Sequence, residues 1–215
     1  MTYLLKMTQH YRVSDQAYGE LKKWVHHYID TQCIVRNTRM PAKHPGRYYT
    51  WMFYLRRGLF NHRFQSAVSQ MFIYHMERWD QSLDFQLSGL ETAATPLLVG
   101  IPLIARVFED DINAFVVRKE RKEYGLLNIL EGMPNDKPVV MLDDLCNSSI
   151  SLRRCYDELV GLNMTVANKA FTIVNKSNND VHSYQRQHTD MYLPSDIEVV
   201  SLFTLDDFNL SNPSH

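Results

Sequence analysis

Residues 139–142 are Val139, Val140, Met141 and Leu142, an unbroken apolar run that ends in the paired acids Asp143 and Asp144. After two intervening residues comes the mostly polar series Asn147, Ser148, Ser149, Ile150 and Ser151. Four apolar residues in succession after a turn signal (Met133, Pro134, Asn135, Asp136, Lys137, Pro138) suit a strand buried on both faces, the environment of a parallel sheet. Such a strand needs a crossover helix, and the hydroxyl residues are where one would open. Asp143 and Asp144 then stand at the C-terminal edge of the sheet, where open α/β folds bind ligands, beside a helix N-terminus that offers unpaired N–H groups to an anion. These residue types suit a phosphorylated sugar, with carboxylates on vicinal hydroxyls, directly or through magnesium, and with hydroxyl and N–H groups on the phosphate. An ordinary strand, loop and Ser-capped helix would show the same local pattern.

The rest of the chain repeats this alternation. Ser14 is placed to cap a helix over 15–34, with Leu21, Trp24, Val25, Tyr28 and Ile29 on one stripe. A second helix is expected over 62–79 with Phe64, Val68, Met71, Phe72, His75 and Trp79 on one side, and a third from Thr95 as cap and Pro96 as first helical residue to about Phe108. Short apolar strands are expected near 85–88, 114–117, 139–142, 166–174 and 198–203, which together argue for right-handed βαβ units. The polar stretch 175–190 reads as a loop. At 215 residues the chain suits one α/β domain, with an N-terminal cap segment over 1–60 and a core over 61–215.

A formal net charge of −1 gives no broad field for nucleic acid, so such a partner is not implied. No stretch approaches a membrane span and the first residues lack a signal-peptide core, so cytoplasmic residence is the expectation. Cys33, Cys146 and Cys155 form neither a disulfide framework nor a zinc motif. Cys146 is read as a buried structural thiol, although a helix N-terminus would favour its thiolate. His75 is read as a packing residue, because no partner repeats at metal-ligand spacing on its face.

Five segments, in order, carry a resemblance to one family. Asp143, Asp144, Leu145 and Cys146 followed by Asn147-Ser148-Ser149-Ile150-Ser151 resembles the sugar-phosphate loop of the type I phosphoribosyltransferases, in which two acids precede Thr/Ser-Thr-Gly-Gly-Thr/Ser. Gly89-Leu90-Glu91-Thr92-Ala93-Ala94-Thr95-Pro96-Leu97 resembles their pyrophosphate loop. Arg118-Lys119-Glu120-Arg121-Lys122-Glu123-Tyr124-Gly125, continued by Asn128-Ile129-Leu130-Glu131-Gly132, resembles their mobile catalytic loop. Pro45-Gly46-Arg47-Tyr48-Tyr49 with Arg57-Gly58-Leu59-Phe60 is similar to the hood that closes over the base, and residues 201–208 to the closing strand. Within the family the chain is most like the orotate phosphoribosyltransferases, over roughly residues 45–208.

The resemblance implies an α/β fold with a parallel sheet flanked by helices and an N-terminal helical hood. It implies a glycosyltransferase of pyrimidine nucleotide metabolism that moves ribose 5-phosphate between phosphoribosyl pyrophosphate and a base nitrogen. Asp143, Asp144 and Lys122 would be catalytic. Asn147, Ser148, Ser149 and Ser151 would hold phosphate, Thr92, Ala93, Arg118 and Lys119 the pyrophosphate, and Tyr48, Tyr49 and Lys176 the base. Mg2+ would arrive mainly through the ligand, with no dedicated metal residues, and the chain would form a homodimer. Four positions depart from the pattern. Ser149 and Ile150 replace both loop glycines, and β-branched Ile150 resists a positive φ and adds bulk beside the anion, which predicts altered loop geometry or weaker affinity. Tyr124 replaces a common His, and Asn175-Lys176 replaces an Asp-Arg pair, exchanging a planar fork for a point charge. Two other functions fit these departures. One is a degenerate binder sensing a nucleotide or phosphoribosyl pyrophosphate, or a subunit with protein partners in a larger assembly such as an antiviral system. The other is a hydrolase of a nucleotide N-glycosidic bond.

Overall fold

The computed structural model describes residues 13–41, 48–80, 82–120, 128–176 and 193–210. Ser14 caps the first helix, α1 (Asp15–Tyr28), by accepting the Ala17 N–H at 3.2 Å. A π-helical turn, Ile29–Cys33, carries the chain on to residue 33. Val25 and Ile29 of the expected stripe are fully buried, while Leu21, Trp24 and Tyr28 pack partly exposed beside them.

The expected helical hood is in part a β-ribbon. β1 (Ile34–Pro41) and β2 (Tyr48–Phe53) pair antiparallel as a separate ribbon whose register shifts between Arg36 and Met40. A single turn, α2 (Arg56–Leu59), leads to α3 (His62–Trp79), capped by Asn61, whose side chain accepts the N–H groups of Arg63 and Phe64. Phe64, Val68, Met71 and Phe72 are buried as expected, and half-buried His75 meets the Tyr18 hydroxyl at 2.7 Å. His75 therefore closes a contact between α1 and α3.

The main sheet has six strands in the order β5, β4, β3, β6, β7, β8. They are β3 (Gln86–Leu90), β4 (Asn113–Val117), β5 (Leu130–Glu131), β6 (Val139–Cys146), β7 (Val166–Asn175) and β8 (Glu198–Thr204). All pairings are parallel except that of short β5 with β4. Helix α4 (Thr95–Val107) follows β3, and α5 (Ile150–Gly161) follows β6. Ala94 is the cap of α4, so Thr95 and Pro96 each sit one position deeper in the helix than expected.

Two apolar layers sandwich the sheet. Val140, Leu142, Phe171 and Ile173 join α1, α3, α4 and the ribbon on one face. Val139, Met141 and Ala170 meet Leu152, Cys155 and Leu159 of α5 on the other. Residues 139–142 are at most 1% exposed, the two-sided burial that their composition demands. Among the described residues, no helix is long and apolar enough to cross a membrane. Most of the polar stretch 175–190 lies outside the described residues, although Asn175 still belongs to β7.

Candidate active site

The strand order reverses its direction of growth between β3 and β6. The crossover through α4 leads from β3 outward to β4, while that through α5 leads from β6 the other way to β7. A parallel sheet opens a crevice at the C-terminal ends of the strands flanking such a reversal. The turn 91–94, the acid pair and the segment 147–149 all lie at that edge.

β6 continues through Asp143 and Asp144 to Cys146, so the acids are strand residues and alternate across the sheet. Asp143, paired with Thr172 of β7, lies on the α5 face that Met141 and Ser88 share. It is only 6% exposed and accepts the Asp144 N–H at 2.9 Å. Asp144 lies on the opposite, hood-side face, half-buried, where Arg56 of α2 stabilises its charge. From the sequence, both acids are expected to face one pentose. Asp143 is the more deeply buried of the two, and a hydrogen bond joins their carboxyl groups, so the acids form one coupled pair at the sheet edge.

Burial, reinforced by the charge of Asp144, pushes the Asp143 carboxyl up to about 8, against the pull of Lys119. Burial also raises Asp144, opposed first by the hydrogen bond it accepts from the Asp143 carboxyl and then by the charge of Arg56. A carboxyl whose folded pKa lies above its unfolded value near 3.8 holds its proton longer in the native state. Its contribution to stability is complete below the unfolded value and is lost as pH rises through the folded one. Asp143→Asn mimics the protonated form. Its Tm is expected to meet the wild-type value near pH 4 and to exceed it increasingly toward pH 9. Parallel melting curves across that range would show that Asp143 ionises normally.

The segment after β6 resolves the missing glycines. Ser149, at φ 56° and ψ 5°, takes the left-handed conformation and caps α5, whereas Ile150 is the first helical residue, 46% exposed. Positive φ thus falls on the serine, which tolerates it better than a β-branched residue. Ile150 points to solvent and does not plug the bend. The Ser149 side chain makes no capping bond to the helix and meets Cys146 Sγ at 3.3 Å, leaving the first N–H groups of α5 without a side-chain cap. Asn147 and Ser151 are exposed, and Ser148 is half-buried. Cys146 is 2% exposed and burial raises its thiol pKa, in keeping with a structural role.

Thr92 is exposed and Ala93 half-buried in the turn after β3, and the Glu91–Thr92 peptide is cis. Arg118 is directed toward the sheet edge, its guanidinium bonded to Glu131 Oε1 at 3.1 Å and to the Glu120 carbonyl at 3.2 Å. Lys119 is exposed, and its charge acts on Asp143. Lys122 and Tyr124 lie outside the described residues, as does 45–47 of the expected hood motif. Tyr48 and Tyr49 are 41% and 44% exposed on β2, and the Arg39 guanidinium stacks 3.9 Å from the Tyr48 ring. Lys176 follows β7, its N–H bonded to the Cys146 carbonyl at 2.7 Å. Its half-buried ammonium rests 4.7 Å from the ring of Trp51, and burial lowers its pKa. Trp51 and Arg56, which face Lys176 and Asp144, lie outside every motif read from the sequence. The alternation of buried Trp51 and Phe53 with exposed Met52 was the available signal for Trp51.

A six-stranded sheet with this order and an acid pair at the reversal give the chain the fold of the type I phosphoribosyltransferases. Its likeness runs to the orotate phosphoribosyltransferases. The orotate phosphoribosyltransferase of a Bradyrhizobium species is 31% identical over 104 residues, 45% of this chain and 54% of that protein. The chain thus spans about half the length of this relative. That of Methanococcus maripaludis is 21% identical over 159 residues, 73% of this chain and 77% of that protein. Orotate phosphoribosyltransferase of Mycobacterium tuberculosis, solved with Fe(III) dicitrate, superposes with a TM-score of 0.70 at 19% identity over 88% of this chain and 99% of that one. The same enzyme solved with phosphoribosyl pyrophosphate gives 0.61 at 16% identity, over 91% and 93% of the two chains. No family model matches the chain.

Proposed function

We propose that the chain is a phosphoribosyltransferase of the orotate-like group, joining ribose 5-phosphate from phosphoribosyl pyrophosphate to a base nitrogen. The observation that carries this reading is the meeting, at one sheet edge, of a half-buried carboxylate, a left-handed turn into an uncapped helix N-terminus, and a turn of small residues after β3. The Mycobacterium enzyme solved with phosphoribosyl pyrophosphate shares this fold.

In this reading the N-terminus of α5, with Asn147, Ser148, Ser149 and Ser151, holds the 5-phosphate. Asp144 accepts hydrogen bonds from the ribose hydroxyls and stabilises the positive charge that develops as the bond from C1 to the diphosphate oxygen breaks. Asp143 supports it from the buried face. Thr92 and Ala93 present backbone groups to the diphosphate, whose magnesium arrives as part of the substrate. Lys119 and Lys122 neutralise the departing charge, with Arg118 recruited from its ion pair with Glu131. The base nitrogen bonds to C1 between the tyrosines of β2 and the Trp51–Lys176 pair, where a lysine favours an acceptor bearing negative charge. Helix α4 shows solvent a stripe of Val99, Leu103 and Val107, 57–68% exposed, beside Phe60 at 77%. A second copy covering this stripe would form the proposed homodimer.

Calorimetry with phosphoribosyl pyrophosphate and magnesium, followed by pyrophosphate release across a panel of bases including orotate, tests the reading. Binding together with base-dependent release is expected. Binding without release from any base would identify a sensor, and free base formed from a nucleotide without pyrophosphate would identify a hydrolase; either result overturns the assignment.

A further inference from the structure

Glu91, in a loop that would cradle an anion, stands where a carboxylate should repel. Its side chain has other work: Oε1 accepts the Lys119 N–H at 2.9 Å, linking the turn after β3 to the segment after β4. The Glu91 N–H donates to the Val117 carbonyl at 2.9 Å, so both its backbone and its side chain bind that segment. On the other side of the same residue, the Lys119 carbonyl accepts a hydrogen bond from Arg154 Nη2 on α5. One residue thereby joins the three segments that follow β3, β4 and β6. Arg118, immediately before it, is tied to Glu131 and Glu120, so the clamp falls where the chain leaves the sheet edge.

We propose that Glu91 and Arg154 are positioning residues that grip the Lys119 backbone from opposite sides, so that the pyrophosphate turn, the Lys119 side chain and the phosphate-binding helix keep one fixed geometry. Its consequence for ligand affinity rests on the phosphoribosyl pyrophosphate reading, whereas the clamp itself does not. A hydrogen bond to a charged group carries more energy than a neutral pair, and both bonds here have one charged partner. A neutral glutamine at 91 keeps a carbonyl oxygen at the same reach, so it should preserve the geometry that alanine destroys.

The test reads the Lys119 amide by hydrogen exchange in the ligand-free protein and the affinity for phosphoribosyl pyrophosphate with magnesium. E91A is expected to speed Lys119 exchange roughly tenfold while E91Q stays close to wild type. E91A and R154A should each weaken binding about tenfold, and the double variant should be little worse than either, since both break one device. Arg154 is exposed, so R154A carries the test should E91A fail to fold, again with faster Lys119 exchange. Unchanged Lys119 exchange in E91A or R154A overturns the clamp, as does full additivity of the two losses. If the wild-type protein does not bind phosphoribosyl pyrophosphate, the functional reading fails, and the exchange result still decides the clamp.

Discussion

Replacing Asp144 by alanine is expected to lower kcat/KM for phosphoribosyl pyrophosphate by about a thousandfold, while the protein remains folded. Two losses combine. A charge-assisted hydrogen bond to a ribose hydroxyl contributes about 1.5–3 kcal/mol. Removing a preorganised group that stabilises developing charge costs roughly a hundredfold or more in kcat. Asp144 has Arg56 as its counter-charge and is the less buried of the pair, while Asp143, 6% exposed, is hydrogen-bonded to it from the chain position before. Asp143→Asn should therefore cost about an order of magnitude less than Asp144→Asn in steady-state assays at pH 7. Equal losses from the two amide substitutions would mean that both acids reach the sugar.

The contrast between the two acids marks where the sequence stops being legible. Four apolar residues announced β6 and its two-sided burial, because every side chain in the run had to leave water. The strand continues to Cys146, however, and hydrogen bonding to β7, not hydrophobicity, sets that length. Once the acids are strand residues, they are buried unequally, although their carboxyl groups stay hydrogen-bonded to each other. The bend beyond them was legible only through the resemblance, whose paired glycines permit a positive φ, and the fold places that conformation on Ser149 and not on Ile150. The stripe of α3 was readable because its period is local. The β1–β2 ribbon was not, since polar residues interrupt Ile34–Pro41 and its pairing shifts register. Contacts such as Glu91 with Lys119 and Arg118 with Glu131 join residues 28 and 13 positions apart, and no sequence period encodes them.

Gly89→Ala is expected to destabilise the fold by about 3 kcal/mol, at the upper end of ordinary overpacking. For a chain of this size that corresponds to a fall in Tm of roughly 6–12 °C. A Cβ at position 89 would lie 2.4 Å from the Leu142 carbonyl oxygen and 2.5 Å from Ala94 Cβ. Neither neighbour is the free end of a flexible side chain. Leu142 belongs to the paired backbone of β6 immediately before the acids, and Ala94 caps α4. Relief thus requires β3 to move from β6 or α4 to move from the sheet, and either shift opens the crevice. Glycine is needed here for close packing of two strands and a helix, and only secondarily for approach of a ligand. Ala94→Gly added to Gly89→Ala should recover part of the lost stability, since it removes one close contact and leaves the carbonyl. Gly19→Ala is the contrasting control, because a Cβ there meets nothing within 4 Å on α1; it should stabilise the chain by about 0.5–1 kcal/mol through helix propensity. A Gly89→Ala protein with the melting temperature of the wild type would show that β3 and β6 have room to separate, and the crevice at their junction would then not be a fixed site.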